Sequence, residues 1–324
     1  MKKEPPEYRL LVTGTRGKST ASRYLASAFG SIGLTCSTRI TGTIPTVIDH
    51  TGSRKIIRSC PGHISEMRWW LENIPEGTSA IVAENSAVST EMQSLPAKWL
   101  KPSLIIWTTL LPDHAEHWGP GVSGARRSLL EGVPEGSDVI LGPQASRDKP
   151  LLSLLAAKRC SIITIMENEK NFVEQYKAIA VKALDILGLP GSSASFGNIA
   201  EDRHAFRTVI TPGGGLIAWA FSSNDPDTAK NLFYSLGWKP EETVMLFNHR
   251  SDRPGRLISH FSFLNSLPWK AVWVTGDRTF LPPGIRFKQI HTAQKMDSLA
   301  SLSGRVFGCG NVRGLPFPEE VEKS

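Results

Sequence analysis

The sequence predicts an α/β protein of two domains: a mostly parallel sheet flanked by helices over residues 1–205, and a smaller Rossmann-like α/β unit over 206–324. Three observations lead there. Short apolar runs alternate with amphipathic helical patterns through most of the chain, as strands joined by helical crossovers do. The alternation breaks around residues 195–215 and then restarts. The first apolar run also passes through a glycine-rich turn, Gly14-Thr-Arg-Gly17, directly into the first helical pattern.

Taken in order, strands are expected at Arg9–Thr13, Ala80–Glu84, Leu104–Thr109, Val139–Leu141 and Ile162–Ile165. After Lys18, apolar residues at Ala21, Tyr24, Leu25, Ala28, Phe29 and Ile32 keep the i, i+3, i+4 rhythm of a helix with one buried face. A second helix spans Phe172–Leu187 and is closed by Gly188 and Pro190. The stretch "ASFGNIAEDRHAFRTVITPGGGLIAWAF" reads as a loop followed by a hairpin turning at Gly213-Gly-Gly215. Beyond it come a helix from Pro226, strands Val244–Phe247 and Val272–Thr275, a helix Ala293–Leu302 and a strand Val306–Phe307. No internal repeat or low-complexity tract interrupts this order.

Composition narrows the function. With 40% apolar residues in 324, the chain has the make-up of a globular protein, and its net charge of +7 favours anionic ligands. The basic residues are scattered and form no block, which gives nucleic-acid binding little support. Cys36, Cys60, Cys160 and Cys309 have no paired metal spacing and read as thiols in a reducing compartment. No run reaches the length of a membrane span, and the first eight residues have no signal-peptide core. A soluble, cytoplasmic protein is expected.

The turn carries the chemistry. A glycine-rich turn between strand and helix aims backbone N–H groups and the positive helix end at one point, where a phosphate fits. Gly14, Thr15, Arg16, Gly17, Lys18, Ser19 and Thr20 form that segment. Gly14 and Gly17 admit the phosphates, Lys18 reaches the β- and γ-phosphates, and the hydroxyl of Ser19 or Thr20 ligates Mg²⁺. The usual phosphate-loop spacing asks for a glycine at position 12, where this chain has Val12. A metal so placed needs a hard ligand from a neighbouring strand end. Glu84, closing "SAIVAE", and Asp113-His114, following "LIIWTT", stand where open α/β sheets place ligands. The metal set expected is therefore Ser19, Glu84 and His114. His114 and His117 do not make a transition-metal site, because no third ligand stands at convincing spacing.

These stretches resemble the ATP-binding domain of the Mur ligase superfamily: "GTRGKST", Glu84 in "VAENSAVSTEMQ", and "TTLLPDH". That superfamily uses the shortened loop, so Val12 is no defect. The match extends to the ligase subunit of poly-γ-glutamate synthase through "TGT" at 41–43, "CPGHISE" at 60–66, "DHAEHWGP" at 113–120, "AFSSNDPDT" at 220–228, "NHRSDRPGR" at 248–256 and "FGCGNVRG" at 307–314. The resemblance implies ATP-dependent amide formation: a carboxylate attacks the γ-phosphate, and an amine then attacks the acyl phosphate. Lys18, Glu84 and His114 would neutralise the transferring group. A second domain closing over ATP would bring Asn224 and Asp225 to the nucleotide, Arg250 and Arg256 to phosphate or carboxylate, and Arg253 to the chemical step. Without the resemblance, those arginines read as solvated loop charge.

Several family features differ. The family's asparagine before Asp-His is Thr109 here, which takes the nucleotide-facing position. No lysine lies between His114 and Arg147 to be carbamylated and hold a second metal. Few residues precede the first strand, so a UDP-linked substrate is not expected. The resemblance implies glutamate or a glutamyl peptide as substrate, small membrane subunits as partners, and recruitment to the inner face of the membrane. A small-molecule kinase and a non-catalytic ATP-binding subunit share the same loop and remain as alternatives.

Overall fold

Strand β1 (Tyr8–Thr13) sets the layers of the first unit. Leu10 and Val12 point to one face and pack with Leu25, Phe29 and Ile179, while Leu11 points to the other, with Trp70, Leu100 and Leu129. This is the two-residue period of a strand buried on both sides. The structure is a computed structural model describing residues 5–42, 45–58, 62–119, 121–165, 172–197, 199, 205–223 and 225–317. Contacts divide the chain into two units, Met1–Glu201 and Asp202–Ser324.

After β1 the first unit runs α1 (Lys18–Ser31), β2 (Cys36–Ile40), β3 (Thr46–Asp49), β4 (Gly52–Lys55), α2 (Glu66–Glu72), β5 (Ala80–Glu84), α3 (Ser94–Leu100) and β6 (Leu104–Trp107). It continues through α4 (Ala115–Trp118), α5 (Gly121–Leu130), β7 (Asp138–Leu141), α6 (Lys149–Ala157), β8 (Ser161–Thr164) and α7 (Phe172–Ile186). The strand order is β4-β3-β2-β5-β1-β6-β7-β8. Strands β2, β5, β1, β6, β7 and β8 are parallel, and β3 and β4 return antiparallel at one edge. Helices α1 and α7 cover one face; α2, α3, α5 and α6 cover the other.

The five strands expected in this unit are present. The third is shorter than expected: β6 ends at Trp107, the Thr108 N–H still donates to Thr13 O of β1 at 3.0 Å, and Thr109 turns to the glycine-rich turn. Three strands of this unit escaped the sequence reading. Strand β2 is central and buried, yet it carries Ser37, Thr38 and Arg39, none more than 1% exposed. Strand β4 is exposed along its whole length and is held by its ladder to β3. Neither has the apolar period by which strands are read.

Helix α6 shows how one side chain does two jobs. Asp148 caps it, accepting the Leu151 N–H at 2.7 Å, and also takes a fork from Arg126 at 2.8 and 2.7 Å. Burial pushes the Asp148 carboxyl up, but the Arg126 and Leu151 hydrogen bonds outweigh it and hold it below its ordinary value. Asp148→Ala is expected to cost about 1–2 kcal/mol, read as a shift in the denaturation midpoint. A depressed folded-state pKa means this stabilisation is complete above about pH 4 and is lost as the pH falls through the lower folded value. The variant should therefore lose less of its remaining stability on acidification than the wild type does.

The second unit runs β9 (Thr208–Ile210), β10 (Leu216–Trp219), α8 (Pro226–Ser235), β11 (Thr243–His249), α9 (Pro254–Ser266), β12 (Ala271–Gly276), β13 (Ile285–Phe287), α10 (Ala293–Ser303) and β14 (Arg305–Cys309). Its sheet order is β13-β12-β11-β14-β10-β9, parallel except for the hairpin of β9 and β10. That hairpin turns through Gly213–Gly215, as its glycines suggested, with Thr211 N–H donating to Gly215 O at 2.9 Å. Helices α8 and α9 pack on one face and α10 on the other. Within "NHRSDRPGR", Asn248 and His249 end β11, and Pro254 opens α9 and puts Arg256 in its first turn. Among the described residues, no helix is long and apolar enough to cross a membrane.

Candidate active site

Strand β1 lies between β5 and β6, and the turn after it emerges at the carboxyl edge of the parallel sheet. Two glycines shape this turn. Gly14 has φ +119°, and a Cβ there would lie 2.4 Å from Thr108 Oγ1. Gly17 has φ +80°, and its Cβ would lie 2.0 Å from the Tyr176 hydroxyl. Both positions therefore combine a backbone that disfavours L side chains with a neighbour that leaves them no room. Gly17 is the N-cap of α1, and no side chain caps that helix. Its first-turn N–H groups thus face the turn without a side-chain acceptor, which suits an incoming anion.

Thr108 and Thr109, which follow β6, brace the turn. Thr109 O accepts the Thr15 N–H at 3.0 Å, and Thr109 Oγ1 accepts the Arg16 N–H at 2.8 Å. Thr108 Oγ1 donates to Arg16 O at 2.6 Å. The structure thus engages the Thr109 hydroxyl with the loop backbone and with Thr15 Oγ1, 3.0 Å away. Arg16 reaches Asp113 Oδ2 at 2.6 Å. Burial pushes the Asp113 carboxyl up, but Arg16, then His114 and Lys18, hold it below its ordinary value and keep it ionised.

Lys18 opens α1, and its ammonium donates to Gly14 O at 2.6 Å. Burial lowers its pKa, opposed by the charges of Glu84 and Asp113 and reinforced by Arg16. Ser19 and Thr20 complete the first turn, both half-buried. Glu84 pairs in register with Val12 and is 1% exposed. Its Oε2 accepts the Thr41 N–H at 2.7 Å and the Thr41 hydroxyl at 2.8 Å, while its Oε1 is buried without a hydrogen-bond partner. Gly42, next to Thr41, lies against Ser19: a Cβ there would be 2.6 Å from Ser19 Oγ.

An orphaned buried carboxylate oxygen is costly unless a cation satisfies it. Glu84 Oε1 therefore fits a hard divalent ion, and the Ser19 hydroxyl lies against Gly42, the neighbour of the Thr41 that holds the other oxygen. Among the described residues no group of three His, Cys, Asp or Glu side chains can hold a metal. A set of Ser19, Glu84 and His114 would take its remaining ligands from phosphate and water. His114 has φ +43°, its Nε2 is 3.7 Å from Asp113 Oδ2, and its ring packs edge-on against Trp118.

In the second unit, Asn224 lies outside the described residues. Asp225 caps α8, accepting the Thr228 N–H at 2.8 Å. Arg250 forks onto Asp252, with Nε 2.8 Å from Oδ1. Arg253 is the N-cap residue of α9, and Arg256 O accepts from His260 Nδ1 at 2.7 Å. Sequence reasoning gave no site role to Thr41 and Gly42, although they stand in the "TGT" of the resemblance, or to Thr108 in "TTLLPDH", and it missed Tyr176, which stands in no pattern of its own. Two clefts open elsewhere in the first unit, one of about 570 Å³ beside Lys98, Lys101 and Lys158, the other of about 480 Å³ beside Arg23, Cys36 and His50. Neither includes a residue of the turn, and a loop that binds phosphate through backbone N–H groups needs no deep cavity.

Comparison with known proteins adds two family matches. Residues 12–187 match the Mur ligase middle domain, and residues 210–323 match the poly-gamma-glutamate synthase CapB C-terminal domain. A search of curated proteins finds no match. Among solved structures, a bifunctional folylpolyglutamate synthase/dihydrofolate synthase with Mn, AMPPNP and L-glutamate bound is similar at 13% identity and a TM-score of 0.66, covering 96% of this chain and 88% of that one. MurF from Acinetobacter baumannii is similar at 12% identity and a TM-score of 0.67, covering 94% and 73%. E. coli FolC in complex with ADP is similar at 15% identity and a TM-score of 0.60, covering 95% and 87%. At these identities the likeness is one of fold.

Proposed function

Because the chain belongs to the Mur ligase family, whose members are ATP-dependent amide-forming ligases, we propose that it makes γ-glutamyl bonds in poly-γ-glutamate synthesis. The observation that carries this reading is the match of residues 210–323 to the C-terminal domain of a poly-gamma-glutamate synthase. L-Glutamate in a solved neighbour of the same fold supports glutamate or a glutamyl peptide as substrate.

In this reading the N–H groups of the turn and Lys18 hold and neutralise the β- and γ-phosphates of ATP. Mg²⁺, held by Ser19, Glu84 and His114, would supply further positive charge on the transferring phosphoryl group. Such charge neutralisation and positioning provide most of the catalysis in phosphoryl transfer. The donor γ-carboxylate takes the phosphoryl group and ADP leaves. The acceptor amine then adds to the acyl carbon and expels phosphate, leaving an amide. Arg16, tied to Asp113, keeps the turn in shape. Arg253 acts in the chemical step; Asn224, Asp225, Arg250 and Arg256 contribute to nucleotide or carboxylate binding.

The test is ADP release against a panel of amino acids and oligo-glutamates, with mass spectrometry of the products. ADP, free phosphate and a new amide are expected. A stable phosphorylated acceptor would make the chain a kinase, and ATP binding without turnover would make it a non-catalytic subunit. In the same assay, Arg253→Ala should lower kcat at least about tenfold with ATP affinity unchanged, the pattern of an interaction made in the transition state. Small membrane subunits complete the proposal, recruiting a cytoplasmic chain whose net charge of +7 assists approach to an anionic leaflet. Long polymer made by the purified chain alone would remove that requirement.

A further inference from the structure

We propose that Arg39 and Arg58 form a carboxylate-binding subsite beside the phosphate loop, which receives the α-carboxylate of the glutamyl donor. The choice of ligand rests on the γ-glutamyl ligase reading above; the subsite itself rests on the geometry of β2. Arg39 is 1% exposed on this central strand, where it pairs with Ala83 of β5 and Val47 of β3. Its Nη2 donates to Glu66 Oε2 at 3.1 Å, but Nε and Nη1 are buried with no hydrogen-bond partner. A guanidinium presents five N–H donors and does not give up its charge, so leaving several of them dry and unpaired is expensive.

Glu66 cannot supply what is missing. Its Oε2 already accepts from Arg58 Nε at 3.1 Å and Arg58 Nη2 at 2.6 Å as well as from Arg39, and its Oε1 accepts the His63 N–H at 3.2 Å. Two guanidinium groups therefore share one carboxylate, and the trio keeps a net positive charge, on which Glu84 acts by charge alone without a hydrogen bond to Arg39. A ligand carboxylate would balance that charge and can accept from Nε or Nη1 together with the second N–H of Nη2, which Glu66 leaves free, the paired geometry in which arginine binds carboxylates bidentately. Arg58 and Glu66, each about a quarter exposed, are the members of the trio that solvent reaches.

Position selects the ligand. Two residues beyond Arg39, Thr41 holds Glu84, and Gly42 touches Ser19. Along a strand that step is about 7 Å. A glutamyl terminus carries two carboxylates on one short skeleton, so one can occupy the arginine fork while the other faces the transferring phosphoryl group. The fork thereby distinguishes a donor with a free α-carboxylate from a simple monocarboxylic acid.

The experiment is calorimetric titration of the full chain with γ-glutamyl-glutamate and with the same dipeptide amidated at its α-carboxylates. Wild type, Arg39→Met and Arg58→Met are compared, and AMPPNP affinity serves as the check on folding. The free acid should bind wild type at least tenfold more tightly than either variant, and the amidated dipeptide should bind wild type as weakly as the acid binds the variants. AMPPNP affinity should stay within about twofold. Should Arg39→Met fail to fold, the partly exposed Arg58 carries the comparison alone. The proposal is overturned if wild type does not bind the acid, if Arg58→Met binds it equally well, or if the amide binds as tightly as the acid. The orphaned N–H groups would then belong to internal waters and the trio would be structural. Arginine-dependent binding without ADP release in the product assay would retain the subsite and reject the ligase reading, so the two can fail separately.

Discussion

Lys18→Ala is expected to reduce ATP turnover at least about a hundredfold while the first unit stays folded. Lys18 stands at the start of α1 and spends its ammonium on Gly14 O, within its own turn. The strand and helix on either side are held by other means: the Leu10, Val12, Leu25 and Phe29 core, and the Thr108–Thr109 brace on the backbone of the turn. Removing the side chain thus costs little structure, and alanine is a good helix former at that position. What disappears is the charge that the ligase reading puts opposite the γ-phosphate. Phosphate release and the thermal midpoint measured on one preparation decide the matter. Near-wild-type release from a folded variant would remove the turn from the catalytic machinery.

Glu84→Gln should separate activity from stability in opposite directions. The carboxylate is buried, held on one oxygen by Thr41 and left unpartnered on the other. In the absence of metal, an isosteric amide removes a buried, incompletely satisfied charge and can still accept from Thr41, so the melting temperature should hold or rise. With Mg²⁺ and ATP, the same change removes a hard anionic ligand, so turnover should fall at least about a hundredfold and the Mg²⁺ requirement should climb. A purely structural Glu84 predicts the reverse: a lower melting temperature with turnover preserved.

Much of the site was legible because it is local. The turn from Gly14 to Thr20 joins one strand to one helix, and its glycines, lysine and hydroxyls are consecutive in sequence, so their chemistry can be read without knowing what surrounds them. Glu84 and Asp113-His114 stand out for a related reason: each follows an apolar run, and the end of a buried parallel strand is a place the sequence marks. The role of Thr109 was not legible in this way. Its hydroxyl meets the backbone of Arg16 because β6 pairs with β1, and nothing near position 109 announces that neighbour.

The sequence by itself determined the two α/β units, the glycine-rich strand–turn–helix, and the hairpin at Gly213–Gly215, all of which follow from period, turn chemistry and short-range spacing. Tertiary structure alone decided that β5 enters between β2 and β1, that Thr41 grips Glu84, that the Tyr176 hydroxyl closes over Gly17, and that Arg39 is buried on a strand with no apolar signature. The physical reason is the same in each case. A periodic pattern reports which face of an element is buried, whereas the partner on that face is set by strand order and crossover, which bring together residues far apart in the chain.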